Sequence, residues 1–447
     1  MIGFRVDAAG GALLLLGLTE RLASRSGDSL VDWIGQVVVD LVPLPVVEES
    51  IRFLGTTDKP ALRANLVAGA ALAAGLATPG RQHPRGPVVG AVAGAIGLAG
   101  YLSARRRLTA LESAQDQAGK PILVEDPLPA VTDGAERWTG AEPLFTGLDR
   151  FYQTDVNLRS PLVDPATWRL EVVGLDGTRA WITHDRLLDL PLRERDALLV
   201  CVHNRLGWDR LGHQRWTGID LRQVFDTLGV EIPDDTSAVD LVMEAVDGYR
   251  QVLPLTKALD ADAWVVVGMG GRTLTAGHGF PARIVTPGLV GQYTGTKWLQ
   301  RLSLVPRGQE IATWVRRGWP RDEVVPPLMA RIDHPGTIAM PPRAPQGSVE
   351  VGGSCTVVGT AWAPANGGVA DVQVRVDDGD WFSAELAENL GASSWRRWRA
   401  VLDLGPGRYV VSARCVAADG TVQAGERTPP FPDGVTGHHT LRVRVRA

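Results

Sequence analysis

Leu198 to Phe225, LLVCVHNRLGWDRLGHQRWTGIDLRQVF, holds a cysteine inside a dense run of polar, ring-bearing and glycine residues. The apolar run Leu198 to Val200 reads as a buried strand that delivers Cys201 to its end. There the chain is expected to break into a glycine-punctuated loop before a helix signalled by LRQVFDTLG. A thiolate is a soft metal ligand that must lose its proton to bind, so a site built on Cys201 favours a transition metal and needs positive charge beside it. His203, Arg205 and Arg210 are placed to supply that charge. Three plainer readings stay open at this point. Cys201 would also suit a buried free thiol, a zinc site with His203 and His213 whose spacing is irregular, or a Cys/His hydrolase using His203 or His278. For the hydrolase, residues two apart on a strand share a face and need not meet as nucleophile and base.

Composition sets the frame. The chain has 447 residues, enough for two or three domains, and its 45% apolar and 21% charged residues are those of an ordinary folded protein. A formal charge of -4 argues against a general nucleic-acid binder. Cys201, Cys355 and Cys415 are too few for a disulfide scaffold and leave at least one thiol unpaired.

The order Cys201, Asn204-Arg205, then Trp216-Thr217-Gly218 resembles the sulfite oxidase family of molybdopterin enzymes, in which a cysteine followed by an Asn-Arg pair binds molybdenum and a W-T/S-G turn leads into a helix. The second stretch that carries the resemblance is GRTLTAGHGFPARIVTPGLVGQYTGTKWLQRLSLV, with His278, Arg283 and Lys297 on the family's positions and Gly295 and Thr296 just before the lysine. Forked Arg donors, a Lys point charge and glycine-rich backbone N–H groups suit a phosphate and a pterin. The resemblance implies that Asp149, Phe151, Tyr152 and Gln153 lie against the pterin, although Phe151 and Tyr152 alone would read as core aromatics. It implies a molybdopterin (Mo) cofactor, Cys201 as metal ligand, and His203 and Arg205 with it as catalytic residues. It further implies a small-molecule substrate. The family's sulfite oxidases place arginines and a tyrosine at the open metal position. This sequence has Gln153 where one arginine would lie, Leu206 for the residue following the Asn-Arg pair and Trp319 near the tyrosine position, which points to a neutral sulfoxide or another small oxo donor or acceptor, an S- or N-oxide, rather than sulfite. Alternatives are a genuine sulfite oxidase and a non-catalytic, membrane-anchored binding protein. No C-x-x-C-H haem stretch is present, so electrons are expected to leave to a separate protein or a membrane carrier.

Upstream, Gly11 to Leu18 is a signal-like segment or a buried helix, and Leu30, Ile34, Val37, Val38 and Leu41 fall at helical spacing. Ala64 to Ala77 and Pro87 to Ala104 read as a helical hairpin. The second has the length of a bilayer, while the first reaches only roughly 21 Å of a core about 30 Å thick. Gly90 and Gly94 form a small-xxx-small pair. Arg52, Lys59 and Arg63 before the hairpin and Arg105 to Arg107 after it, against Arg81 and Arg85 within it, put both flanks and the catalytic domain on the cytoplasmic side of the cell membrane.

Downstream, SVEV, CTVVGTAWA, DVQVRVDDG, WRRWRAVLDL, RYVVSARCVAADG and TLRVRVR repeat short strands after a Pro341 to Gly347 linker. The expected architecture is α+β: a membrane-associated helical region over 1–110, a linker over 111–140, a sulfite-oxidase-type molybdopterin-binding domain over 141–335, and an immunoglobulin-like β-sandwich over 340–447. In the family that sandwich pairs two copies, which implies a homodimer. Cys355 and Cys415 are expected to face each other across it, as thiols or as a disulfide.

Overall fold

The computed structural model describes residues 6–24, 29–41, 58–77, 86–117, 119–157, 159–321, 325–335, 349–352 and 355–446. They form two compact units, Met1–Gly119 with Asp155–Leu162, and Lys120–Thr154 with Val163–Ala447.

The first unit is helical: α1 (Val6–Ala23), α2 (Leu30–Leu41), α3 (Asp58–Ala77) and α4 (Gly86–Gln117). The hairpin expected of α3 and α4 gives way to a different pairing, because the closest neighbour of α4 is α1. Gly10 and Gly17 of α1 lie against Gly90 and Gly97 of α4, so tightly that a Cβ on either α1 glycine would overlap the facing carbonyl. The offsets are equal (90 − 10 = 80 and 97 − 17 = 80), so the two helices run parallel. Glycines seven apart recur on one helix face after about two turns, which lets the backbones touch along the whole seam. Asp32 of α2 ties the bundle by accepting from Arg63 Nε at 2.5 Å and Arg105 Nη1 at 2.8 Å. Among the described residues, Pro87–Asp116 is the one helix long and apolar enough to cross a membrane. Its outer face leaves Val88, Val92 and Ile96 more than half exposed.

The second unit opens with two sheets. In one, β2 (Arg179–Thr183), β1 (Arg169–Val173), β10 (Leu299–Pro306), β5 (Val239–Ala245) and β6 (Arg250–Pro254) lie side by side, with β1 and β10 parallel. In the other, β3 (Arg193–Val200), β4 (Leu211–Asp220), β7 (Trp264–Met269) and β8 (Arg272–Thr273) pair in that order, and β9 (Arg283–Val285) joins β7. The unbroken apolar β7, WVVVGM, is buried at every position, as a strand covered on both faces must be.

β4 corrects the sequence reading. The glycines of LGHQRWTGID look like loop punctuation, and Trp216-Thr217-Gly218 was expected to be a turn. All of it is strand, hydrogen-bonded between β3 and β7. Its glycines serve close approach: a Cβ on Gly212 would enter the Phe151 ring and one on Gly218 the Val265 carbonyl. Two of its polar side chains are matched individually, His213 Nδ1 to the Leu144 carbonyl at 2.9 Å and Arg215 Nε to Asp196 at 2.7 Å.

The C-terminal strands form two further sheets. One runs β11 (Met329–His334), β13 (Cys355–Trp362), β17 (Arg396–Leu402), β16 (Glu385–Leu386). The other runs β12 (Val349–Gly352), β19 (His439–Arg446), β18 (Gly407–Ala417), β14 (Val369–Val376), β15 (Phe382–Ser383). Val357 and Trp398 from the first and Val372, Val411 and Val443 from the second share one core. β19, HTLRVRVR, alternates buried and exposed, the signature of one covered face. Cys355 and Cys415 are both buried there and free, without a disulfide. Burial pushes the Cys355 thiol up and the Cys415 thiol up to about 12.

Two boundaries differ from expectation. β11 pairs with β13, so the chain enters the C-terminal sheet at Met329, before the Pro341 to Gly347 stretch, which lies outside the described residues. Residues 111–140 are not a free tether. α4 continues to Gln117, and Asp133 accepts two bonds from the Arg397 guanidinium in the interior of the second unit.

Candidate active site

Cys201 stands one residue beyond β3, 6% exposed. The ladder closes around it, since its N–H donates to the Arg210 carbonyl at 2.9 Å. The loop between is stapled by Asn204, whose N–H donates to the Cys201 carbonyl at 2.9 Å and whose Oδ1 accepts from the Arg210 N–H at 3.0 Å. Arg205 and Arg210 both stack on the Trp208 ring, at 5.5 and 5.7 Å. Burial by itself would raise the Cys201 pKa. The hydrogen bond and charge of His203 and the charge of Arg210 outweigh it, and the thiol is held below its ordinary value. A turn after the strand therefore brings His203 back to the thiol, which strand geometry alone did not foretell. The His203 ring meets Trp319 edge-on at 5.1 Å and Trp314 at 6.1 Å.

The second stretch folds beside the first. Lys297 Nζ donates to the Gly277 carbonyl at 2.8 Å and Arg283 Nη1 to the His278 carbonyl at 3.1 Å, so both cations hold the backbone of Ala276–His278. The Arg283 guanidinium lies 5.3 Å over the Trp216 ring. Gly295 is beside it, where a Cβ would stand 3.5 Å from Arg283 Nη2. Gln153 Nε2 is 3.4 Å from His278 Nδ1. The two halves join at Gly291: a Cβ there would stand 2.7 Å from the Tyr152 hydroxyl and 3.9 Å from the Cys201 Cα. Thr154 Oγ1 lies 3.8 Å from Cys201 Sγ.

The residues singled out in the sequence thus converge, with two exceptions. Asp149 is exposed in a turn beside Gly147. Phe151 is a core residue packed with Ala197, Leu199 and Trp216, and it stacks on Tyr152 at 5.4 Å. Burial, and after it the charge of Cys201, raises the Tyr152 pKa well above the usual value, so its phenol stays protonated. The zinc arrangement does not form, because His213 is committed to the Leu144 carbonyl and, through Nε2, to Ser394 Oγ at 2.9 Å. Burial drives the pKa of His213 down to about 4. Among the described residues no group of three or more His, Cys, Asp or Glu is disposed to hold a metal. A single thiolate suits a metal that arrives with ligands of its own.

Whether the residues fit a pterin-bound metal is tested by the polar atoms left over. Thr286 Oγ1, Thr296 Oγ1 and both polar side-chain atoms of Gln292, in the stretch that carries Arg283 and Lys297, are buried without a hydrogen-bond partner among the described residues. Such groups cost roughly 1–3 kcal/mol each unless something satisfies them. A polar, hydrogen-bonding ligand against Arg283 and Lys297 would do so. Of these, sequence reasoning found only Thr296. Gln292 and Thr286 carried no signal beyond proximity to a glycine-rich segment.

Comparison with known proteins agrees with this geometry. Residues 157–312 match the model of the oxidoreductase molybdopterin binding domain. Mitochondrial sulfite oxidase of Mus musculus is 29% identical over 338 residues, covering 67% of this chain and 59% of its own length. The Homo sapiens enzyme is 28% identical over 342 residues, covering 66% and 62%. The chain therefore spans about three fifths of the length of these curated relatives. In fold it is similar to the sulfane dehydrogenase SoxCD of Paracoccus pantotrophus, with a TM-score of 0.56 and 18% identity over 76% of this chain and 92% of that one. The span matched by the domain model contains Cys201 and the stretch that carries His278, Arg283 and Lys297, so the chain carries an oxidoreductase molybdopterin binding domain and is similar to the sulfite oxidases over two thirds of its length.

Proposed function

We propose that this chain is a membrane-anchored oxidoreductase whose molybdenum cofactor performs oxo transfer on a small neutral S- or N-oxide rather than on sulfite. Cys201 is the protein ligand to the metal. His203 and Arg205 would stand beside the bound metal, while His278, Arg283, Gly295, Thr296 and Lys297 would hold the pterin and its phosphate, with Tyr152 and Gln153 alongside. When bound, the cofactor supplies the oxo-transfer chemistry, and the protein supplies orientation and electrostatics. Tyr152 keeps its proton and donates, and the Trp208 ring fixes the two arginines.

The observation that carries the substrate class is the wall beside His203. Trp319, 2% exposed, and Trp314 close it edge-on, and Phe431 backs Trp319 at 5.0 Å. The two indoles bring N–H donors but no positive charge, so the wall cannot pair a doubly charged oxyanion that gives up its hydration. Gln153 is engaged by His278 and Leu206 packs toward the Gly437 segment, so neither adds a cation.

Anchoring is supported by the exposed apolar face of α4 and by its parallel glycine seam with α1. With Arg105 to Arg107 retained in the cytoplasm, α1 and α4 both begin outside and α3 returns between them, which leaves the catalytic domain cytoplasmic. The two C-terminal sheets are proposed to form an immunoglobulin-like sandwich through which two chains pair, and electrons are proposed to come from a separate protein or a membrane carrier.

One detergent-solubilised preparation of the full chain tests this reading. It is expected to contain molybdenum and pterin, to sediment as a dimer, and to turn over sulfite poorly against a panel of S-oxides and N-oxides. Efficient sulfite oxidation would make it a genuine sulfite oxidase. Digestion of the catalytic domain by protease added outside intact spheroplasts would reverse the orientation.

A further inference from the structure

We infer that Arg331 and Asp333, on the first strand of the C-terminal sheets, are positioning residues for the cysteine loop, so that these sheets complete the metal site. The inference rests on the reading that Cys201 carries the metal. The Arg331 guanidinium uses two arms. Nη1 donates to the Trp208 carbonyl at 3.0 Å, and Nε donates to Asp333 Oδ1 at 2.5 Å. Both residues are buried, at 3% and 6% exposure. Between them the Ile332 N–H donates to His439 Nδ1 at 2.9 Å, and the His439 ring fits so closely over Gly207 that a Cβ there would collide with it. The loop is thus held at Gly207 and Trp208, between Cys201 and Arg210 and close to the latter.

The consequences reach the thiol through contacts already described. Trp208 carries Arg205 and Arg210 on its ring, and the Arg210 backbone pairs with that of Cys201. Moving the Trp208 carbonyl therefore moves both cations and one wall of the ligand loop. A buried ion pair is a poor source of stability, since well-packed apolar residues of similar volume do as well or better. What apolar residues cannot do is direct a donor at a carbonyl. Arginine can serve two acceptors in one plane, whereas lysine offers a point charge without that fork.

The test uses the full-length chain and two variants. In Arg331→Met/Asp333→Leu the pair is replaced by apolar groups. In Arg331→Lys the charge beside Asp333 stays and the fork is lost. Both are expected to melt close to wild type. Both should lower kcat/KM about tenfold, the scale on which loss of an outer-shell contact acts, mainly through KM, and should broaden the Mo(V) electron paramagnetic resonance signal. In chain made without cofactor, the rate at which iodoacetamide alkylates Cys201 should change by about tenfold, because the charge of Arg210 and the cover of the loop move together, with Cys355 and Cys415 still protected. The alkylation arm stands whether or not Cys201 binds molybdenum, and that reading fails separately if Cys201→Ser keeps full activity. Wild-type KM, spectrum and alkylation rate in either folded variant would overturn the positioning role.

Discussion

Cys201→Ser is expected to reduce turnover to background while the melting temperature stays near that of wild type. The serine is nearly isosteric at a site that is 6% exposed, so packing changes little. The chemistry changes entirely. His203 and Arg210 lower the pKa of a thiol, which then binds as a soft anion, whereas a serine hydroxyl stays protonated in the same field and is a hard ligand. Turnover, molybdenum content and thermal unfolding of the two proteins, measured side by side, separate loss of the ligand from loss of the fold. Full activity in the serine variant would remove Cys201 from the reaction.

The second large effect is on stability. Arg397 of β17 is 2% exposed, and its guanidinium serves Asp133 with two bonds, Glu136 Oε1 at 2.5 Å and the Glu142 carbonyl at 2.9 Å. Arg397→Met leaves Asp133 buried without its partner. Breaking such a pair from one side costs about 3–5 kcal/mol. For a large unit this corresponds to a drop in melting temperature of roughly 5–15 °C. Arg399→Ala, two residues on, removes a half-exposed pair with Glu385 and should cost less than about 1 kcal/mol. If the two variants melt alike, residues 133–142 are not fastened as the hydrogen bonds imply.

That fastening shows where sequence reading falls short. Residues 111–140 look like a tether because their composition is charged and proline-bearing, and composition carries no record of a partner more than 250 residues away. The glycines of β4 mislead for a related reason. A glycine that admits the Phe151 ring and one that turns the chain are spelled alike. In the helical unit, the small residues that mark a close seam were visible at Gly90 and Gly94, but their partner is α1 and not the adjacent α3.

Local physics was enough for other features. The apolar run that ends at Cys201, the continuous β7, the alternation of β19 and the helical spacing of α2 each follow from side-chain periodicity within one segment, which a short window contains in full. Cys201, His278, Arg283 and Lys297 could be chosen by the resemblance of their order along the chain to that of the sulfite oxidase family, not by local physics. Their geometry belongs to the tertiary structure alone. Only the folded chain brings His203 back onto the thiol, commits His213 to Leu144 and Ser394, leaves Thr286 and Gln292 with unspent hydrogen bonds, and sets Arg331 under the Trp208 carbonyl. Each of these depends on a contact between segments distant in sequence, and a one-dimensional pattern does not encode which distant segment will supply the partner.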